Sequence, residues 1–203
     1  VLSLQTQTMD ELFKYQKAAL VNGLCSEYKG HWQAAGNDKE KLVRLALMQQ
    51  CLPHFLTYCN NGQGLSKNYI LDNFKDYING KYIGIDVDGV EGQYKTELYV
   101  GFNGNLTLSD DIFCTMWTSI PNLSITSCKA TKIYCGCSSN LHINCDGFNS
   151  VIIMLFDNSE ITIEDADETC HITIYKYSDD CKVNLGKFCL TQKIKQHRKQ
   201  LRL

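Results

Sequence analysis

Up to about residue 80 the apolar residues recur every third or fourth position, and from Tyr82 onward they recur every second. The longer period, over residues 8 to 80, is that of amphipathic helices. Thr8 with Glu11 three residues on has the form of a capping box, and Met9, Leu12, Phe13, Leu20 and Leu24 follow at helical spacing. A second helix is predicted from Asn37, with Glu40 at its third helical position. Its stripe is Leu42, Leu45, Ala46, Leu52, Phe55 and Leu56, with a kink at Pro53. Cys59-Asn-Asn-Gly-Gln-Gly64 breaks the pattern. Ser66 then caps a third helix, stapled by Leu65 and Ile70, which carries Leu71, Phe74, Tyr77 and Ile78 and stops at Asn79-Gly80.

In the second half, Ile83, Ile85 and Val87 alternate with small or polar residues, Asp88-Gly89 supplies a turn, and Tyr94 to Val100 forms a partner run. Together they predict a hairpin. Residues 120 to 185 then repeat a short apolar-x-apolar unit: Leu123/Ile125, Ile133/Cys135, Leu141/Ile143, Val151/Ile153, Ile161/Ile163 and Ile172/Ile174, with a weaker seventh at Val183. Clusters of Ser, Asn, Asp and Gly separate the units, as in Ser138-Ser139-Asn140 and Asp157-Asn158-Ser159. Two units together span about 20 residues, at the short end of the solenoid range. Stacking alternate units puts Leu123, Leu141, Ile161 and Val183 on one sheet, and Ile133, Val151 and Ile172 on the other. Regular spacing of 8–12 residues also fits an antiparallel sandwich, but units this short and uniform favour the solenoid.

The chain therefore reads as α+β. A helical part of about three helices covers 1–80, a β-hairpin and connector 81–118, a compact β-solenoid-like repeat 119–190, and a basic tail 191–203. In this frame Cys137 and Cys145 continue the inward alternation of Cys135 and Ile143, and Leu155 holds the same place after Val151 and Ile153. Val151-Ile-Ile-Met-Leu-Phe156 is apolar on both faces, so outward Ile152, Met154 and Phe156 must be covered by the helices or by a partner chain.

Composition narrows the class of function. The chain has 203 residues, 44 % of them hydrophobic and 21 % charged, with a formal net charge of −2. That is enough to bury a core, and too little basic charge for a dedicated nucleic-acid binder. No apolar run reaches the ~18 residues of a membrane span. The opening VLSLQTQT has neither the charged nor the apolar region of a secretion signal. The 11 cysteines are odd in number, so they are expected as reduced, buried thiols of a protein folded in a reducing cytoplasm.

Candidate chemistry is sparse. Cys128, Cys135, Cys137 and Cys145 are spaced unlike any common zinc finger or ribbon, and alternation packs three of them inside the repeat. His31, His54, His142, His171 and His197 form no His-x-x-x-His pair, and no phosphate-binding glycine loop or nucleophile elbow is present. No catalytic residue, metal or cofactor is expected. Charge is more telling. Asp157, Glu160, Glu164, Asp165, Asp167 and Glu168 cluster on the repeat, whereas Lys193, Lys195, Arg198, Lys199 and Arg202 crowd the end of the chain among Ile194, Leu201 and Leu203. Such a tail is more often a solvated terminus, or docked on an acidic neighbour, than bound to nucleic acid, and the interspersed apolar residues suit docking against protein. Pairing of the acidic rungs of one copy with the basic tail of another would build a homo-oligomer.

Two resemblances follow from short stretches. Ile83-Gly-Ile-Asp86-Val-Asp88-Gly89-Val90 resembles the first motif of the haloacid-dehalogenase-type phosphatases, which implies an aspartate nucleophile beside magnesium. That fold needs alternating strands and helices afterwards, and a helix-poor repeat follows instead. Gly64-Leu-Ser-Lys-Asn-Tyr69 with Asp76-Tyr-Ile-Asn-Gly80, Asp88-Gly-Val-Glu-Gly92 to Glu97-Leu-Tyr-Val100, and Ile174-Tyr-Lys-Tyr-Ser-Asp-Asp-Cys181 through Gly186-Lys-Phe-Cys-Leu190 to the final Leu-Arg-Leu look like small proteins of Bacteroides-type bacteria and their phages. That resemblance implies a phage setting and no activity. The expected function is thus a non-enzymatic structural or interaction protein, a component of a phage particle. Its partners would be other protein chains, met through Ile152, Met154, Phe156 and the tail from Lys193 to Leu203. The alternative is a monomeric cytoplasmic adaptor or regulator that binds a host protein or nucleic acid through the tail.

Overall fold

The structure is a computed structural model that describes residues 2–21, 26–46, 51–60, 62, 64–73, 82–85, 96–108, 112–126, 130–145, 150–164, 166, 169–186 and 193–196. Among them are five helices rather than three: α1 (Leu2–Val21), α2 (Ser26–Ala35), α3 (Lys39–Ala46), α4 (Leu52–Asn60) and α5 (Lys67–Asn73). Nothing in LSLQTQT breaks a helix, so α1 begins six residues before Thr8 and the expected capping box does not start it. Asp38, one residue past the expected start, caps α3 through the Lys41 amide at 3.2 Å. Pro53 lies in the first turn of a separate helix, where its missing N–H costs nothing, instead of kinking a long one. Ser66 caps α5 as expected, its Oγ accepting from the Tyr69 amide at 3.2 Å.

The second half is a parallel β-solenoid of about four turns over residues 98–185. β1 (Tyr82–Ile85) pairs antiparallel with β2 (Thr96–Val100), the two arms of the expected hairpin; its Asp88-Gly89 turn lies outside the described residues. From β2 the chain alternates between two parallel sheets. Sheet A runs β1, β2, β4 (Ile112–Met116), β6 (Ala130–Gly136), β8 (Ser150–Leu155), β10 (His171–Lys176) and β12 (Lys193–Gln196). Sheet B runs β3 (Leu106–Leu108), β5 (Ser119–Ile125), β7 (Asn140–Cys145), β9 (Glu160–Ile163) and β11 (Lys182–Leu185). The parallel pairing decides against the sandwich.

The expected division of units between sheets is found, with the register shifted by two residues at two places. Ile133 stands opposite Ile153, and Val151 opposite Thr131. In sheet B, Leu141 stands opposite Ile120 because β5 bulges between Ile120 and Leu123, where Pro121 has no amide to give the ladder.

The solenoid begins about twenty residues earlier than the repeat suggests. Every residue of β4 is buried, so Ile112-Phe-Cys-Thr-Met116 shows no alternation to read. The cause is a second core. Inside the solenoid, Phe113, Ile133, Ile153 and Ile174 stack rung on rung against Leu123, Leu141, Ile143, Ile161 and Ile163. On the outside of sheet A, Leu98, Ile112, Cys114, Met116, Tyr134, Met154 and Phe156 pack under the helices with Tyr15, Trp32, Leu42, Phe55, Leu56 and Ile70. A side chain of this size taken fully from water contributes ~1.5–3 kcal/mol.

Four of the five passages from sheet A to sheet B go through a left-handed residue at one corner, Gly101 (φ 65°), Trp117 (52°), Cys137 (52°) and Asp157 (51°), and the passage from β10 to β11 does not. The last three recur every twenty residues. Inside this corner run buried hydroxyls: Thr118 pairs with Thr115, the Thr118 amide donates to Ser139 Oγ at 3.2 Å, and Ser139 Oγ donates to the Gly136 carbonyl at 2.7 Å. Cys137 therefore leaves the expected inward alternation. The left-handed turn swings it out of the solenoid and into the core beneath the helices.

Candidate functional site

A cleft of about 820 Å³ opens where the helices meet this corner. Its lining comes from α1 (Glu11, Lys14, Ala18), from Cys59 and the chain linking α4 to α5 (Gly62, Gly64, Leu65), from Ser66, Lys67 and Asn68, and from Trp117. The linking chain turns tightly: the Gly64 amide reaches back to the Tyr58 carbonyl at 2.8 Å, and a Cβ on Gly64 would lie 2.6 Å from the Cys59 nitrogen. Glu11, from α1, accepts from the Ser66 amide and hydroxyl, both at 3.1 Å. Lys67 runs over the solenoid corner, its Cε 2.6 Å from where a Cβ on Gly101 would stand. Trp117 is half-buried, packed on the helix-side core by part of its ring and lining the cleft with the rest.

The opposite surface of the molecule is the outer face of sheet B, which no helix of the described residues covers. It is polar and ordered in rows: Asn144 donates to Asn122 at 2.7 Å, Asn184 to Glu160 at 2.8 Å and to Thr162 at 3.3 Å, and His142 lies 3.6 Å from Glu164. Rows of this kind repeat at the ~4.8 Å spacing of paired strands. The acidic cluster seen in the sequence is thus split. Glu160 and Glu164 belong to this face, whereas Asp157 serves the corner, accepting from the Cys137 amide at 2.7 Å and from Ser159 Oγ at 3.1 Å. Burial holds the Asp157 carboxyl above the usual aspartate range despite these donors. Asp165, Asp167 and Glu168 lie outside the described residues.

The expected interface residues have different fates. Met154 and Phe156 are buried under the helices and Ile152 is packed against the same core, Phe156 stacking on Tyr177 with ring centroids 4.5 Å apart. Of the two covers expected for them, the helices supply one within the chain. Lys193, Ile194 and Lys195 are not in a free tail: they form β12, which extends sheet A with Ile194 in register with Ile174. Arg198, Lys199, Leu201, Arg202 and Leu203 lie outside the described residues, as do Asp86 and Asp88.

Of the cysteines weighed as a zinc site, Cys128 lies outside the described residues. Cys135 and Cys145 are inside the solenoid and Cys137 is on its helix side. Eight cysteines are described and all are buried, and burial pushes the thiols of Cys59, Cys114, Cys135 and Cys137 up, away from thiolate. Among the described residues no three His, Cys, Asp or Glu side chains gather as a metal site, and no helix is long and apolar enough to cross a membrane.

Sequence reasoning passed over Lys14, Lys67 and Trp117, which the fold brings to one cleft from 103 residues of chain. The available signal was the twenty-residue step from Trp117 to Cys137 to Asp157, which marks Trp117 as a corner residue. No protein-family model, curated protein or solved structure matches this chain.

Proposed function

We propose that the protein is a non-enzymatic structural component that assembles through the outer face of sheet B, with a phage particle as the setting. One asymmetry carries this reading. The outer face of sheet A packs under the chain's own helices, while among the described residues no helix covers the outer face of sheet B, a polar, hydrogen-bonded array on a rigid scaffold. A solenoid turn buries its apolar side only against neighbouring turns, so the stack holds its surface residues at fixed spacing. Glu160 and Glu164 give that face acidic positions, and Lys193 and Lys195 place basic residues on the last strand of sheet A. Lysines on an edge strand discourage strand addition there, so the contact between copies is face to edge through charge.

Light scattering on the purified chain, with and without a thiol reductant, tests the proposal. The expected result is a closed oligomer whose mass ignores the reductant and falls to the monomer in the Glu160→Lys/Glu164→Lys variant. A monomer in all conditions overturns self-assembly and favours the adaptor that binds a different partner. An oligomer indifferent to both substitutions overturns the face assigned here.

A further inference from the structure

We propose that His142 makes assembly through the outer face of sheet B sensitive to pH: a proton on its imidazole weakens the contact between copies, so that the assembly holds at neutral pH and loosens in mild acid. This rests on the assembly reading above and adds a regulation of that same face.

The strand register sets His142 among acids. It stands opposite Thr162 of β9, and Glu160 and Glu164 lie two residues to either side of Thr162. Residues two apart on a strand share a face, so both carboxylates flank the imidazole diagonally. His142 Nε2 is 3.6 Å from Glu164 Oε2, and the two side chains are 31 % and 68 % exposed. Water therefore reaches both, and a protonated imidazole at this distance forms an ion pair that a neutral one does not.

The surroundings leave His142 as the group that switches. On one side of β7, strand β5 sets Ser119, Asn122 and Ser124 on this face, and none of them carries charge. On the other side β9 brings Glu160 and Glu164, while β7 itself adds only Asn140 and Asn144 beside His142. One strand further, Lys182 of β11 is in register with Glu160, whose carboxylate already accepts from the Asn184 amide at 2.8 Å. Of the side-chain types gathered here, histidine is the one that changes charge between about pH 5 and 8.

The consequence for a contact between copies follows from charge. With His142 neutral, two acids against one lysine leave these strands net negative, which suits the basic residues Lys193 and Lys195 of β12 in a second copy. A proton on His142 cancels that net charge and engages Glu164 within its own chain. The internal ion pair thus competes with the one between copies, and a contact built on exposed charges weakens accordingly.

The test is the concentration dependence of light scattering by the full chain, at constant salt, at about pH 8 and about pH 5.5. The parent is expected to dissociate about tenfold more readily at the lower pH, and His142→Gln to associate equally at both. Circular dichroism at each pH confirms that the chains are folded. Equal association of the parent at the two pH values overturns the switch, and leaves the assembly reading standing where Glu160→Lys/Glu164→Lys still breaks the oligomer. Tighter association in acid overturns it as well. A pH response that survives in His142→Gln also overturns it and moves the effect to another group, such as exposed His31 or His171. A monomer at both pH values overturns the assembly reading and the switch with it.

Discussion

Glu11 and Ser66 are joined across 55 residues of sequence: the Glu11 carboxylate accepts both the amide and the hydroxyl hydrogen of Ser66. Ser66 in turn receives the Tyr69 amide, so α1, through Glu11, holds the residue that starts α5. Each residue then acts on one and the same cap. Ser66→Ala should cost about 1 kcal/mol, and Glu11→Gln a part of that. In a double-mutant cycle followed by urea unfolding, the two losses should fail to add. Full additivity would show the pair to be uncoupled.

Two glycines should respond in opposite directions to the same substitution. A Cβ on Gly186 would lie 1.7 Å from the Glu164 carbonyl oxygen, on backbone that cannot move without breaking the bond from the Gly186 amide to Ile163. Gly186→Ala should therefore destabilise by more than about 2 kcal/mol. Gly30 is exposed within α2 with nothing within 4 Å, so Gly30→Ala should stabilise by about 1 kcal/mol. Thermal melts of the two variants beside the parent are sufficient.

Asp157 gives a pH dependence with an unusual sign. Its carboxyl is raised in the folded chain, so the folded state holds the proton more tightly than the unfolded state does. Stability from this group is therefore greatest below the unfolded aspartate value and falls as pH rises from there to the folded value. Asp157→Asn removes that dependence. The stability of the variant relative to the parent should rise with pH across this acidic window and stay level above it, as measured by unfolding midpoints at several pH values.

The buried thiols predict a labelling pattern. Eight of the 11 cysteines are described and buried, so iodoacetamide should modify at most three rapidly in the native chain and all 11 in denaturant. Mass spectrometry gives the count directly. Rapid native labelling of Cys135 or Cys145 would contradict a closed solenoid interior.

The repeat was readable where one face meets water. β7 alternates buried with more exposed residues, as does β9, and their pattern carried the solenoid prediction. It failed for β4, where burial on both faces erases the period. The helical half was misdivided for a related reason: a proline inside a helical stripe reads equally as a kink or as a first turn, and only tertiary packing decides between α3 with α4 and one bent helix. The cleft was illegible because no local pattern links Glu11, Lys67 and Trp117. Their meeting depends on where α1 lies across the corner, a property of the packed chain alone.

The helical cover on sheet A also has a limit, and it grades along the stack. β4 is wholly buried, Met154 of β8 is nearly so, and Tyr175 of β10 is half-exposed. A solenoid can otherwise lengthen by copying a turn, since sheet B needs only another polar row. Here each added turn would carry a sheet A strand past the reach of the helices, with apolar residues open to water. The helical layer thus acts as a ruler, and the number of turns in this protein is set by the part of the chain that does not repeat.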